Sequence, residues 1–297
     1  HIFVFAALSG VGWAMNNPVR QALVADTVPR QYLRNAVALN SVGFNFTRMA
    51  GPAAAGFLIA FFGPGTNFLL QALCYLGVAL LAVAMRVRPV EHIVPEHVSP
   101  LSSFWEGITY VRREQTVLAL ILVAMIPSLF VMPFTTGLMP VFAKDVLQQG
   151  PDGLGLLLAA MGVGGVIGSL AVASFNARRP GVLQLGAGVL CGLAMVAFSR
   201  SPSIAVALPL LILVGTTQMF FFATNNTALQ TITPDALRGR VMSIYMLDHA
   251  LVPLGSFMAG TLAYVYGSPW AVLVGGSLAA SLILLVGFRF RVFRESS

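Results

Sequence analysis

The chain has 297 residues, of which 57% are hydrophobic and only 9% are charged. Soluble globular domains carry about 25% charged residues, so this composition excludes an ordinary soluble protein. The formal net charge of +7 would suit a nucleic-acid-binding protein if the basic residues formed one patch. The arginines instead occur in short groups between long apolar segments, which is typical of a membrane protein.

Nine apolar segments each approach the length of a transmembrane helix, for which a bilayer core requires ~20 residues. They cover residues 1–24, 36–62, 67–85, 117–141, 153–175, 181–199, 203–231, 241–266 and 269–288. A transmembrane barrel would show short segments of alternating hydrophobicity instead. The sequence therefore predicts an all-α membrane protein with nine transmembrane helices in a lipid bilayer.

The orientation in the membrane follows from lysine and arginine, which accumulate in cytoplasmic loops. One set of loops and span ends holds only Lys144 and Arg200, whereas the opposite set holds fourteen arginines. These are Arg20, Arg30, Arg34, Arg86, Arg88, Arg112, Arg113, Arg178, Arg179, Arg238, Arg240, Arg289, Arg291 and Arg294. The larger group predicts a cytoplasmic C-terminus. The positive charge is thus a topology signal, and no nucleic-acid partner is expected.

Residues 86–116 are predicted to form a cytoplasmic linker between the third and fourth spans. Its second part has apolar residues at helical spacing, followed by two arginines: Leu101, Phe104, Trp105, Ile108, Val111, Arg112 and Arg113. This pattern predicts an amphipathic helix that lies on the membrane or under the bundle.

Four residues of the first part of the linker could in principle bind a metal: Glu91, His92, Glu96 and His97. They do not complete a ligand set with the usual short spacing. A solvated loop is favoured, and no metal is expected.

The sequence repeats after a shift of 204 residues, which aligns Gly51 with Gly255 and Gly56 with Gly260. The first three spans then correspond to the seventh, eighth and ninth. The fourth to sixth spans have no counterpart, so about 90–110 residues are expected to be missing before His1. The predicted domains are the second half of one six-helix bundle (1–85), the linker (86–116) and a complete six-helix bundle (117–297).

Several motifs support a family resemblance. They are Asn17-Pro18-Val19-Arg20-Gln21-Ala22, Val28-Pro29, Asn35-Ala36-Val37-Ala38-Leu39-Asn40, Arg48-x2-Gly51-Pro52-x3-Gly56, Leu138-Met139-Pro140-Val141-Phe142, Gly153-Leu154-Gly155 and Leu237-Arg238-Gly239-Arg240-Val241-Met242-Ser243. With them the chain resembles major facilitator superfamily transporters, and most closely the bacterial exporter branch of enterobactin-exporter-like and macrolide-efflux-like proteins. In that layout the nine spans are helices four to twelve, and helices one to three are absent.

The resemblance implies a secondary active transporter that works by alternating access between two halves. It implies proton-coupled export of a small amphipathic molecule, of the drug or siderophore class, across the bacterial inner membrane. A monomer without a cofactor is expected. The Gly51-Pro52 pair resembles the antiporter signature of exporters in this superfamily, although here the spacing is Gly-Pro-x3-Gly.

Arg48 is predicted to lie near mid-bilayer on the same face as Asn45. A charge there costs about 2.5–3.5 kcal/mol on insertion scales, so it should face a cavity or a partner. It is either a gate or anionic-substrate contact, or a structural arginine that caps carbonyls of a neighbouring helix. Gly51, Pro52 and Gly56 allow close helix packing, which could also seal a gate during export.

The predicted substrate cavity combines two spans. Gln218, Phe222 and Asn225 share one face of the seventh span, and polar groups there need partners in lipid. The fourth span offers adaptable apolar side chains between prolines, namely Phe130, Met132 and Phe134. Ordinary core packing explains these aromatic and methionine residues equally well.

Asp248 and His249 are the predicted proton-coupling pair, about 12–15 Å inside the cytoplasmic boundary. Low-dielectric surroundings disfavour an ionised carboxylate, and histidine titrates near neutrality, so the two could pass a proton. The alternative is that Asp248 and His249 are a buried pair with a structural role. Their hydrogen bonds would then be made to the backbone or to Ser243 and Tyr245.

Nothing in the sequence indicates an enzyme, because it shows no phosphate loop, clustered metal ligands or recognisable catalytic triad. The alternative to a transporter is a non-transporting membrane protein, either receptor-like or an inactive truncated fragment.

Overall fold

The computed structural model describes residues 12, 43, 47, 58, 62–63, 65–84, 100–174 and 180–290. The predicted spans 1–24 and 36–62 therefore lie almost wholly outside the described residues. The chain divides into two compact units, His1–Arg48 with Leu69–His97 and Met49–Phe68 with Val98–Ser297. The second unit contains most of what is described.

The regular elements of the described residues are all helices. They are α1 (Gly65–Ala84), α2 (Pro100–Arg113), α3 (Gln115–Phe130), α4 (Pro151–Ser174), α5 (Pro180–Ser199), α6 (Ile204–Ile232), α7 (Asp235–Tyr245), α8 (Leu251–Tyr266) and α9 (Ser268–Arg289). A 3₁₀ turn, Met246–Ala250, joins α7 to α8. Beyond α3 the helical path continues through Pro133–Gly137, Met139–Val141 and Phe142–Val146.

Within this part of the chain, seven helical stretches are long and apolar enough to cross a membrane. They match the predicted third to ninth spans, which confirms the all-α membrane class. Two boundaries differ from the prediction by more than three residues. The eighth span begins at Leu237, because the helix accommodates Arg238 and Arg240 before its apolar part starts. The fourth span continues to Val146, past the predicted end at residue 141.

The central helix of the second unit is α3, which contacts α2, α6, α8 and α9. α3 is buried at most positions from Val117 to Ser128. The rest of this span, beyond the end of α3, is irregular, with wide π-helical turns beginning at Pro133 and Phe142. Proline has no N–H to donate and crowds the preceding turn, which accounts for wide turns next to Pro133 and Pro140.

Glycines set the closest helix contacts of this unit. A β carbon on Gly164 or Gly168 of α4 would overlap a backbone carbonyl of α6, at Ile212 or Thr216. A β carbon on Gly215 of α6 would likewise overlap the backbone carbonyl of Met161 in α4. Small residues let two helix backbones come close together. In lipid, helices associate through van der Waals contacts of this kind, because the hydrophobic effect does not drive them together there.

Glycines also allow the close contact between α5 and α9. A β carbon on Gly192 would lie 2.6 Å from the carbonyl oxygen of Gly276, and one on Gly276 would lie 2.7 Å from the carbonyl oxygen of Gly192. Each glycine therefore provides the space into which the other helix packs.

Candidate functional site

Asp248 lies in the 3₁₀ turn between α7 and α8 and is only 3% exposed. The hydroxyl of Ser128 in α3 donates a hydrogen bond of 3.0 Å to Oδ2 of this carboxylate. The other oxygen, Oδ1, lies 2.5 Å from Nδ1 of His249. The His249 side chain is 43% exposed. The site thus connects a buried carboxyl group to an imidazole at the protein surface.

The local sequence explains the break in the helix that carries Asp248. Pro253 stands in the first turn of α8 and has no backbone N–H. It therefore cannot donate the usual i→i−4 bond to the carbonyl of His249. The chain turns more tightly from Met246 to Ala250 before α8 begins, and this turn directs Asp248 into the unit while its neighbour His249 remains exposed.

Ser128 is held against Asp248 by close packing of α3 and α8. It follows Pro127 in α3 and is 1% exposed. One residue further, the carbonyl of Leu129 meets Gly255 of α8, where a β carbon would also lie 2.6 Å from Cγ of Pro133. Sequence reasoning did not select Ser128. The available signal was a hydroxyl group in an apolar span, which needs a partner in lipid.

A second polar contact lies between α5 and α6. Nε2 of Gln184 donates a hydrogen bond of 2.6 Å to Oδ1 of Asn225. Both side chains are at most 1% exposed. Among the described residues, Oε1 of Gln184 and Nδ2 of Asn225 find no further partner. Asn225, predicted to line a cavity, is thus fully buried against α5.

The amide pair leads to a prediction about stability. Replacing Gln184 or Asn225 singly with leucine strands the other buried amide, so each variant should lose about 1–3 kcal/mol of unfolding free energy. The double variant replaces both partners by apolar groups. Its loss of unfolding free energy should therefore be smaller than the sum of the two single losses. Unfolding midpoints of the purified protein in detergent would test this. Additive losses would show that the two amides do not depend on each other.

The remaining predicted cavity residues have mixed environments. Gln218 is half-buried, and Phe222 is buried with its ring centroid 6.0 Å from that of Phe221. Phe134 is 1% exposed and packs on Gly275 of α9. Phe130, with its centroid 6.5 Å from that of Phe134, and Met132 are half-buried. Phe134 therefore has a clear packing role, whereas Gln218, Phe130 and Met132 keep partly exposed surface.

Five predicted site residues lie outside the described residues: Asn45, Arg48, Gly51, Pro52 and Gly56. Their roles stay predictions. An apolar pocket of about 320 Å³ is lined by residues of α8 and α9, namely Leu262, Tyr266, Trp270, Ala271 and Val274. None of the predicted site residues is in that lining.

Comparison with known proteins places the chain among transporters. The chain matches the protein family described as "Transmembrane secretion effector" over residues 1–297. The chain is 26% identical over 268 residues to the staphyloferrin A transporter of Staphylococcus aureus, covering 90% of this chain and 66% of the relative. It is 28% identical over 282 residues to the multidrug efflux pump Tap of Mycolicibacterium fortuitum, covering 90% and 67%.

It is also 26% identical over 288 residues to the enterobactin exporter EntS of Shigella boydii serotype 18, covering 93% of this chain and 67% of the relative. The chain thus spans about two thirds of the length of these curated relatives.

Proposed function

Because the chain belongs to the transmembrane secretion effector family of the major facilitator superfamily, we propose that the protein is a secondary active exporter of small molecules. The substrate is an amphipathic compound of the drug or siderophore class. The relatives named as a staphyloferrin A transporter, a multidrug efflux pump and an enterobactin exporter support this choice of class. The proposed location is the bacterial inner membrane, with the C-terminus in the cytoplasm and the protein acting as a monomer.

The buried Asp248 carboxyl, bonded to Ser128 on one oxygen and to the exposed His249 on the other, carries the proposal. It favours coupling of export to protons. In the proposed mechanism, opening of the cavity brings water to the imidazole of His249, which transfers a proton to Asp248 through their hydrogen bond. A neutral Asp248 no longer presents a charged acceptor to Ser128, which weakens the link between α3 and the turn before α8.

In this mechanism the protonation state of Asp248 changes the packing of two helices. Protonation loosens the α3–α8 contact, and loss of the proton restores the charge-assisted bond from Ser128. Alternating access requires two packing states of this kind that differ by a few kcal/mol. The proton gradient biases the equilibrium between them, because the carboxyl takes its proton in one state and releases it in the other.

The other site residues keep the roles proposed for them from the sequence. Asn45 and Arg48 would contact substrate together with Gln218, Phe130 and Met132, which keep partly exposed surface. Phe134, Phe222 and Asn225 are buried in this structure, so they would reach substrate only in a packing state that separates the helices covering them. Gly51, Pro52 and Gly56 would let helices close over an emptied cavity. These residues are proposed from their chemistry and spacing in the sequence.

Transport in proteoliposomes would test the function. The protein is reconstituted with a fluorescent amphipathic dye, and a pH gradient is imposed across the membrane. We expect dye movement against its concentration gradient that stops when a protonophore collapses the pH gradient. Enterobactin-class siderophores are assayed in parallel by accumulation. Equal movement in protein-free vesicles, for dye and siderophore alike, would contradict the exporter function.

A further inference from the structure

The two faces of α2 have different surroundings. One face holds Gly107 and Val111, four residues apart, and both are buried. Gly107 packs against α7, where a β carbon would lie 3.1 Å from Cδ1 of Ile244 and 3.2 Å from Cβ of Arg240. Beside this contact, Nη1 of Arg240 lies 2.7 Å from Oε1 of Glu106. This face of α2 is therefore occupied by α7.

The opposite face carries the residues that we call the exposed stripe: Trp105, Thr109 and Arg112. They stand at i, i+4 and i+7, so they share one side of the helix. All three are exposed, and Trp105 is exposed by 56%. The Thr109 hydroxyl is satisfied locally, since it donates to the carbonyl of Trp105. The stripe thus carries an aromatic ring and a guanidinium group that both have exposed surface.

The position of α2 relative to the apolar spans fixes the depth of the stripe. Arg240 and Ile244, which meet Gly107, belong to the candidate span Leu237–Tyr266. The C-terminal end of α2 is separated by Glu114 alone from Gln115, where the next span begins. Arg112 therefore lies about 5 Å from the start of that span at helical rise. Headgroup layers extend about 5–8 Å beyond the hydrocarbon core, so the stripe is level with them.

Two arginines at this depth are not neutralised within the described part of the chain. Arg112 and Arg113 are exposed and form no ion pair there, in contrast to Arg240. They stand in the last turn of α2, where the helix dipole already favours cations. Tryptophan prefers the interface between headgroups and hydrocarbon, because its ring is apolar and its N–H can bond to polar groups. The charge of the stripe and its aromatic ring therefore complement an anionic phospholipid.

We propose that the exposed stripe of α2, with Arg113 beside it, is a binding site for anionic phospholipid headgroups. The phosphate is bound by Arg112 and Arg113, and the ring of Trp105 lies at the level of the glycerol backbone. The lipid binds to the face of α2 that α7 leaves open. This proposal does not depend on the transport activity, because it rests on the linker helix alone.

A single-tryptophan reporter tests the site. The sequence has three tryptophans, at positions 13, 105 and 270. In W13F/W270F protein, Trp105 reports alone in vesicles that contain lipids brominated near the carbonyl end of the acyl chain. We expect stronger quenching when the brominated lipid is phosphatidylglycerol than when it is phosphatidylcholine. In the same background, R112Q/R113Q should remove the preference, and R112K/R113K should largely keep it.

The size of the effect follows from the charge. Each arginine near a surface favours anionic lipid by about 1 kcal/mol, so removing both should lower the enrichment of phosphatidylglycerol around Trp105 about tenfold or more. R200Q in the same Trp105-only background is the matched control, because it also removes the charge of an exposed arginine, at the end of α5 and outside α2. It should leave the preference unchanged.

Three results would overturn the proposal. Absence of quenching by either lipid would show that protein covers Trp105. Equal quenching by both lipids would show a tryptophan at the interface without a headgroup site. An unchanged preference in R112Q/R113Q would show that other residues bind the phosphate. A W13F/W105F reporter, which keeps Trp270, verifies that R112Q/R113Q leaves the fold intact. Inorganic phosphate at millimolar concentration should not compete, which separates a lipid site from a free-phosphate site.

Discussion

Replacing Asp248 with asparagine is expected to abolish pH-gradient-driven efflux while substrate binding persists. Asparagine has nearly the shape of aspartate and can still accept a hydrogen bond from Ser128, but it cannot take up a proton. Because coupling requires a group that gains and loses a proton in each cycle, we expect a decrease in driven transport of about 100-fold or more, since an acid–base group contributes about 10²–10⁴-fold.

The measurement compares dye movement under an imposed pH gradient with dye binding at equilibrium. Asp152→Asn is a matched control, because Asp152 is exposed in the first turn of α4 and should be dispensable. Driven transport at the wild-type rate in Asp248→Asn would exclude this carboxyl from coupling. Loss of both binding and transport, together with a lowered unfolding midpoint, would point to a structural role for Asp248.

Ser128→Ala tests the role of the hydroxyl donor separately from that of the Asp248 carboxyl group. It removes the donor to Oδ2 but leaves the contact with His249. Transport should persist at a lower rate, because the hydrogen bond that links α3 to the turn carrying Asp248 is lost. Ser128→Thr keeps the hydroxyl and should return the rate toward that of the wild type.

The largest expected effect on stability comes from replacing two glycines between α4 and α6, and each single replacement already has a cost. In Gly168→Ala the new methyl group would overlap the carbonyl of Thr216, so the two backbones must move apart along their whole contact. Overpacking of this kind costs about 1–3 kcal/mol and occasionally more. The variant should unfold at lower temperature in detergent. A combined Gly164→Ala and Gly168→Ala variant should fail to accumulate in the membrane.

Gly186→Ala is the control for this substitution. Gly186 is in α5, and a β carbon there would meet nothing within 4 Å. Alanine is favoured over glycine in a helix by about 0.8–1.0 kcal/mol, so this variant should match or exceed the wild type in stability. If Gly168→Ala behaved in the same way, α4 and α6 would not be in the close contact that the structure shows.

The sequence alone determined the membrane class, the helical secondary structure and the approximate limits of the seven spans that the structure describes. These properties depend on local composition, since ~20 apolar residues cross a bilayer whatever they pack against. The family resemblance was also readable from motifs such as Leu237-Arg238-Gly239-Arg240, and the family match confirms it. The helix predicted from Leu101, Trp105 and Val111 is present as α2.

Only the tertiary structure showed which side chains meet. Ser128 and Asp248 are 120 residues apart, and Gln184 and Asn225 are 41 apart. In a soluble protein the apolar face of a helix shows which side is buried. A transmembrane helix is apolar all round because lipid is as apolar as the protein interior, so periodicity cannot distinguish the face toward a neighbour from the face toward lipid. The same ambiguity hid which glycines form contacts, since Gly168 and Gly186 look alike in the sequence and only one meets another helix.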